Sequence, residues 1–277
     1  MRIDAHQHFW QYDPSQYPWI SDAIPTLKHD FLPEHLEPLL AHHQFNGSVL
    51  VQARQDRSEI DWLLTLANAH RSIKGVVGWL DLQAPDIATQ LERYTKHAKF
   101  KGIRHVVQDE TDDRFMLRPE FLRGLAMLHN FNLTYDLLVV PKQLPAAIEI
   151  VNRLPDQKFV IDHIGKPLIK DRVLAPWEAD MRELAQASNV SCKVSGMVTE
   201  ADAEHQQLAD FRPYLEVVFD CFTPDRLMFG SDWPVCTLAG SYDQVVSIVQ
   251  DYIQPLSTSA QALIMGGTAT AFYGLMD

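Results

Sequence analysis

The chain is predicted to fold as one α/β domain, a (β/α)8 barrel, and three observations carry that reading. Eight short β-branched or apolar runs alternate with amphipathic segments over 277 residues, the number and length such a barrel needs. Runs such as Val49-Leu50-Val51 and Phe159-Val160-Ile161 are apolar throughout, which suits parallel strands covered on both faces. After the first run stands His6-Gln7-His8-Phe9-Trp10, with no glycine; an open doubly wound sheet would usually carry a glycine-rich phosphate loop there.

Residues 2–6 form the first strand. It ends at His6 and His8, whose i, i+2 spacing points both rings to one side. Residues 10–33 are unusually aromatic for a loop (Trp10, Tyr12, Tyr17, Trp19, Phe31) and read as a lid or pocket wall. Strand two, 47–53, ends near Gln52 and Arg54, before a helix over 57–70. Strand three, 75–81, supplies Trp79 and Asp81, the latter placed to cap a helix over 84–98. Strand four, 102–107, carries Arg104 and His105 and precedes a helix over 119–130. Strand five, 133–138, carries Tyr135 and Asp136, then a helix over 142–154. Strand six, 159–163, ends on Asp162 and His163 before a helix over 176–187. Strand seven, 190–195, holds Lys193 and Ser195 and leads to a helix over 204–221. Strand eight, 227–232, stops at Asp232, followed by Trp233. Helices over 240–253 and 258–273 close the chain. No Gly/Ser-rich linker divides it, so residues 1–277 read as one domain.

A hydrophobic share of 46% suffices for one large core. The net charge of −12 argues against nucleic acid or an anionic membrane as partner, since both need basic patches. No signal peptide or membrane-length apolar run is visible. Three cysteines without metal-ligand spacing fit reduced thiols in the cytoplasm. Oligomeric state is not encoded in any feature of the chain.

Chemistry in such a barrel gathers at the C-terminal strand ends. There the sequence places His6, His8, His163 and Asp232, with Lys193 and Arg104 nearby. These four can hold one divalent, zinc-like ion, or the imidazoles can polarise a carbonyl directly without metal. Asp232 is the candidate general base for water, and Lys193 and Arg104 are candidate oxyanion donors. The plain reading of Lys193 is a buried ion pair with Asp162 or Asp232. Asp162, alternating with His163, is expected to face the helices. Trp10, Gln52, Trp79, His105 and Trp233 are the expected substrate-binding residues, offering aromatic faces and hydrogen-bonding groups at or near the strand ends. Arg54 and Asp56 read as a solvated loop pair. A thiol nucleophile at Cys236 and an imine on Lys193 are the rival chemistries.

At these residues the chain resembles the amidohydrolase superfamily. Ile3-Asp4-Ala5-His6-Gln7-His8 is similar to its first-strand motif, and Phe229-Gly230-Ser231-Asp232-Trp233-Pro234 to its eighth-strand aspartate motif. More narrowly it resembles a lactonase branch that includes sugar-lactone hydrolases and a pyrone-dicarboxylate hydrolase. Supporting segments are Tyr17-Pro18-Trp19-Ile20, Val51-Gln52-Ala53-Arg54, Gly78-Trp79-Leu80-Asp81-Leu82, Lys101-Gly102-Ile103-Arg104-His105, Asp162-His163-Ile164-Gly165-Lys166-Pro167 and Cys192-Lys193-Val194-Ser195-Gly196. The resemblance implies hydrolysis of a sugar-acid lactone to the aldonic acid. Members with two metals carry a lysine on strand four and a histidine on strand five. Arg104-His105 and Tyr135-Asp136 stand there instead, so one metal ion or none is implied. A metal-dependent decarboxylase or lyase of the same superfamily is the alternative, and a non-catalytic sugar-acid binder the third reading.

Overall fold

Eight parallel strands follow one another in chain order around a single sheet: β1 (Ile3–Gln7), β2 (Gly47–Val51), β3 (Ile73–Gly78), β4 (Phe100–Val106), β5 (Thr134–Leu138), β6 (Phe159–Ile161), β7 (Val190–Val194) and β8 (Leu227–Phe229). The computed structural model describes residues 1–276. Just beyond β8 the chain meets β1 and closes the ring. The Asp232 N–H donates to the His6 carbonyl (2.8 Å), and the His8 N–H to that of Trp233 (2.7 Å). The (β/α)8 architecture is therefore the one the alternating pattern foretold.

The barrel interior is a small apolar cluster of its own. Ile3, Ala5, Val49, Val51, Val77, Val160 and Met228 fill it, and Ala269, Tyr273 and Leu275 of the C-terminal segment pack against them. Side chains near the chain's end thus plug one mouth of the barrel, which leaves the other for chemistry. The rest of the core lies between strands and outer helices, where Leu63, Leu91, Ile150, Leu184 and Val218 are almost wholly buried.

Helices fall close to their expected places: Arg57–Ala69, Ile87–Tyr94, Pro119–Leu125, Leu144–Arg153, Trp177–Leu184, Leu208–Cys221 and Tyr242–Ile253. Two departures have physical causes. A helix over Pro33–His42 was not expected, because Pro33, Pro38 and two histidines disguise its Leu36/Leu40 core face. The last helix is not continuous. It breaks into Thr258–Ala262, a π-turn over Leu263–Gly267, and Thr268–Tyr273. Gly266 (φ +158) presses on β1 there: a Cβ would lie 2.3 Å from the Met1 carbonyl oxygen. Within the 10–33 loop Trp10, Tyr17 and Phe31 are buried and join the main core.

Asp4 makes barrel closure sensitive to pH. Its carboxylate is wholly buried and accepts from the N–H groups of Ser231 (2.9 Å) and His6 (3.2 Å) and from the Tyr242 hydroxyl (3.2 Å). Burial, partly offset by those bonds, pushes its pKa up to about 6. The folded state therefore keeps a proton that the unfolded chain releases near pH 4. Its contribution to stability is full below that pH and is lost as pH rises through about 6. Asp4→Asn does not titrate, so its stability relative to wild type is expected to rise between pH 4 and 6. Denaturant titrations across that window check the sign.

Candidate active site

The strand ends bring four side chains together. His6 sits on β1 and His8 just past it, with their Nε2 atoms 3.1 Å apart. Asp232 Oδ1 lies 3.3 Å from His8 Nε2, 3.8 Å from His6 Nε2 and 4.0 Å from His163 Nε2. All four are buried.

Two of them are delivered by strained backbone. Asp232 (φ 57) and His163 (φ 54) are left-handed, and the run continues through Ile164, Gly165 and Lys166. Left-handed residues other than glycine cost roughly 1–2 kcal/mol each, and such strain persists only where the surroundings over-determine it. The Trp177 indole N–H donates to the Ile164 carbonyl (2.8 Å), and the His163 ring lies against Gly196. A Cβ at Gly196 would fall 2.5 Å from His163 Nδ1, and its φ of +64 also favours glycine.

The charge states follow from the environment. Burial lowers the His163 pKa to about 4 and, with Lys193 beside it, holds His6 well below its ordinary value. Both are neutral near pH 7. Burial pushes Asp232 up, but the three imidazoles outweigh it and hold the carboxyl well below the usual carboxylate range.

A proton inventory shows that the cluster fits a cation. His8 Nδ1 faces the Val51 carbonyl at 2.8 Å, so it carries the proton and its Nε2 presents a lone pair. His6 meets a donor at each ring nitrogen, Arg104 Nη1 at 3.3 Å from Nε2 and Lys193 Nζ at 3.1 Å from Nδ1. The His8 lone pair, His6 Nε2 and the Asp232 oxygen converge, all within 4.8 Å of one another. Their separations match the roughly 3.3 Å between ligand atoms around a tetrahedral ion bound at about 2.0–2.1 Å. The donor set of imidazoles and a carboxylate is the type zinc takes.

Beneath the cluster lies a buried ionic layer. Lys193 Nζ lies 2.5 Å from Asp136 Oδ2, 2.9 Å from Asp162 Oδ1 and 3.1 Å from His6 Nδ1. The Tyr273 hydroxyl donates to the same Asp136 oxygen (2.8 Å). Arg104 donates to Gln52 and, through Nη1, to Asp162 Oδ2 (3.2 Å). Burial pushes Asp162 up, yet Lys193, His6 and Arg104 prevail and hold it well below its ordinary value. Asp162 thus corrects the expectation that it faces the helices. Simple alternation fails because β6 ends at Ile161 and His163 is left-handed, so both residues turn inward. Lys193 is corrected as well. It does not border the cavity, and its ammonium is occupied by two carboxylates, so it cannot reach a substrate oxygen or form an imine.

Above the cluster opens a cavity of about 580 Å³, walled by His8, His163, Asp232, Gln52 and Arg104 and rimmed by Trp19, Arg54, Gln108 and Lys166. Gln52 is where it was expected. Trp10, Trp79, His105 and Trp233 are not on the wall, which corrects the expected aromatic lining. The Trp10 indole donates to the His29 carbonyl (3.0 Å), and Trp233 packs on Phe9 and Phe31. Trp79 donates to His105 Nδ1 (3.1 Å), whose Nε2 lies 2.8 Å from Glu110. Trp19 and Arg54 were the residues missed. Both lie in segments that carried the family resemblance, which was the available signal. Asp56 caps the helix Arg57–Ala69 through the Ser58 N–H and also borders the cavity. Cys236 is buried with its thiol pushed well up by that burial, which leaves no thiolate to act as nucleophile.

A (β/α)8 barrel that gathers histidines of its first and sixth strands and an aspartate after its eighth around one cavity defines a class of metal-competent barrel built for hydrolytic chemistry. The amidohydrolase family matches residues 3–275, and the chain belongs to that family. An L-fucono-1,5-lactonase of Burkholderia multivorans is 42% identical, over 100% of this chain and 97% of the relative. One from Burkholderia ambifaria is 37% identical, over 98% and 95%. A crystal structure of a Burkholderia multivorans amidohydrolase with bound zinc superposes at a TM-score of 0.96 and 43% identity, covering all of both chains.

Proposed function

We propose that the chain hydrolyses a sugar-acid lactone of the L-fucono-1,5-lactone kind to the aldonic acid. The observation that carries this reading is the ionised Asp232 at the base of a sugar-sized cavity, set among three imidazoles. Full-length similarity to two L-fucono-1,5-lactonases supports it. In this reading all three imidazole contacts use Asp232 Oδ1, so Oδ2 takes the proton as water adds to the lactone carbonyl carbon. Arg104, on the cavity wall with its N–H groups turned to Gln52, Asp162 and His6, places its positive charge beside the oxyanion that develops. Collapse breaks the bond between that carbon and the ring oxygen, and the Asp232 carboxyl returns the proton to the leaving oxygen. The balance is one lactone and one water giving an aldonate and a released proton. His6, His8, His163 and Asp232 would hold one divalent ion, zinc as in the crystallised relative, and when bound it polarises the carbonyl and lowers the pKa of water. Lys193 and Asp162 act through His6 by fixing its ring. The decarboxylase or lyase alternative is not favoured, since the two relatives at 42% and 37% identity are lactonases.

Among the described residues no helix is long and apolar enough to cross a membrane, and the three cysteines are free. Both support a cytoplasmic enzyme acting on a small molecule. The test is proton release from 1,5- and 1,4-lactones of six-carbon and 6-deoxy sugar acids, followed with a pH indicator, with and without chelator. Stoichiometric, enzyme-dependent release from a 1,5-lactone is expected. Rates equal to the uncatalysed reaction across the panel would overturn the reading.

A further inference from the structure

We infer that Trp19 is the platform on which the sugar ring lies, a substrate-binding residue separate from the His–Asp cluster; the inference rests on the lactone reading above. Among the described residues Trp19 is the one aromatic side chain in the most exposed group, at 38%. Its neighbours in the 10–33 loop behave differently. Trp10, Tyr17 and Phe31 turn into the core, while Trp19 borders the cavity. Its orientation is fixed at two points. The indole N–H donates to the Ala53 carbonyl (2.9 Å), and the ring meets Trp10 edge to face, centroids 5.5 Å apart at 87°. With its polar atom satisfied and its edge held, an apolar face remains toward the opening.

A pyranose-type ring has the complementary form, with C–H groups on its faces and hydroxyls around its edge. The polar groups such an edge needs stand on the same wall: Gln16, Gln52 and Arg54. The 10–33 loop is thereby a preset wall bearing one binding face, rather than a lid with many aromatic contacts. Stacking of this kind acts alike on bound lactone and transition state. Its loss therefore belongs in KM and leaves kcat little changed.

The experiment compares wild type, Trp19→Ala and Trp19→Phe in lactone turnover, and in calorimetric and fluorescence titrations with the 1,5-lactam of the same sugar acid, a probe that keeps the ring and resists hydrolysis. Trp19→Ala is expected to raise KM and the lactam Kd about tenfold, with kcat within about threefold. Trp19→Phe is expected to fall between, having kept a face but lost the bond to Ala53. The tryptophan emission change that the lactam induces in wild type is expected to vanish in Trp19→Phe. Unchanged KM, Kd and emission response in the variants would overturn the inference while leaving the lactonase reading intact. If wild type turns over no lactone, that reading fails, and the lactam titrations still decide Trp19. Wild type that neither turns over lactone nor binds the lactam would overturn both.

Discussion

Asp232→Asn is expected to lower kcat by about 10²–10⁴-fold, the usual contribution of a positioned general base. The reasoning is steric and electronic. Asparagine keeps the shape of the side chain, and the left-handed φ of 57 is one it tolerates well. It cannot accept a proton from water. Removing the carboxylate also leaves no stranded cation, because His6 and His163 are held neutral, chiefly by burial. Folding should therefore survive, with a melting temperature near that of wild type. The checks are proton-release kinetics and thermal unfolding of one preparation. Turnover within a factor of ten of wild type would remove Asp232 from the base role.

Lys193→Met is expected to have the largest effect on stability, about 3–5 kcal/mol at pH 8, the cost of breaking a buried ion pair from one side. Among the described residues Lys193 is the sole cation within ion-pair distance of Asp136, whereas Asp162 keeps Arg104. Burial already raises the Asp136 pKa to about 6 against the pull of Lys193, and without that ammonium it rises further. A raised carboxyl stabilises fully below its unfolded pKa and ceases to as pH climbs through the folded value. The deficit of the variant should therefore be smaller at pH 5 than at pH 8. Denaturant unfolding at the two pH values measures it. A deficit below about 1 kcal/mol at pH 8 would mean the layer under His6 is not the ionic support described. Activity should fall too, because His6 Nδ1 loses a neighbour 3.1 Å away.

The barrel was legible because parallel strands covered on both faces write themselves as unbroken apolar runs, and β2 and β6 do so plainly. The meeting of His6, His8, His163 and Asp232 was legible for a related reason: closure of a barrel brings the ends of its first and last strands together. What the sequence hid depends on directions that a two-residue period does not encode. Four successive left-handed residues turn Asp162 and His163 to the same interior, where alternation assigns them opposite faces. The aromatic residues were hidden differently. Composition marks the 10–33 loop as aromatic, but only the fold decides that Trp10 and Phe31 join the main core while Trp19 is left on the wall. The helix Pro33–His42 was obscured by its prolines.

In the proposed reaction a lactone carbonyl is held over Asp232 by this one cavity. A crystal structure of Asp232→Asn soaked with L-fucono-1,5-lactone tests it most directly, since the variant should bind the ring without opening it. An intact lactone is expected in the cavity, its carbonyl carbon about one water molecule away from position 232 and its carbonyl oxygen toward the imidazoles and Arg104. A lactone bound elsewhere on the barrel, or seated with its carbonyl turned out to solvent, would contradict it.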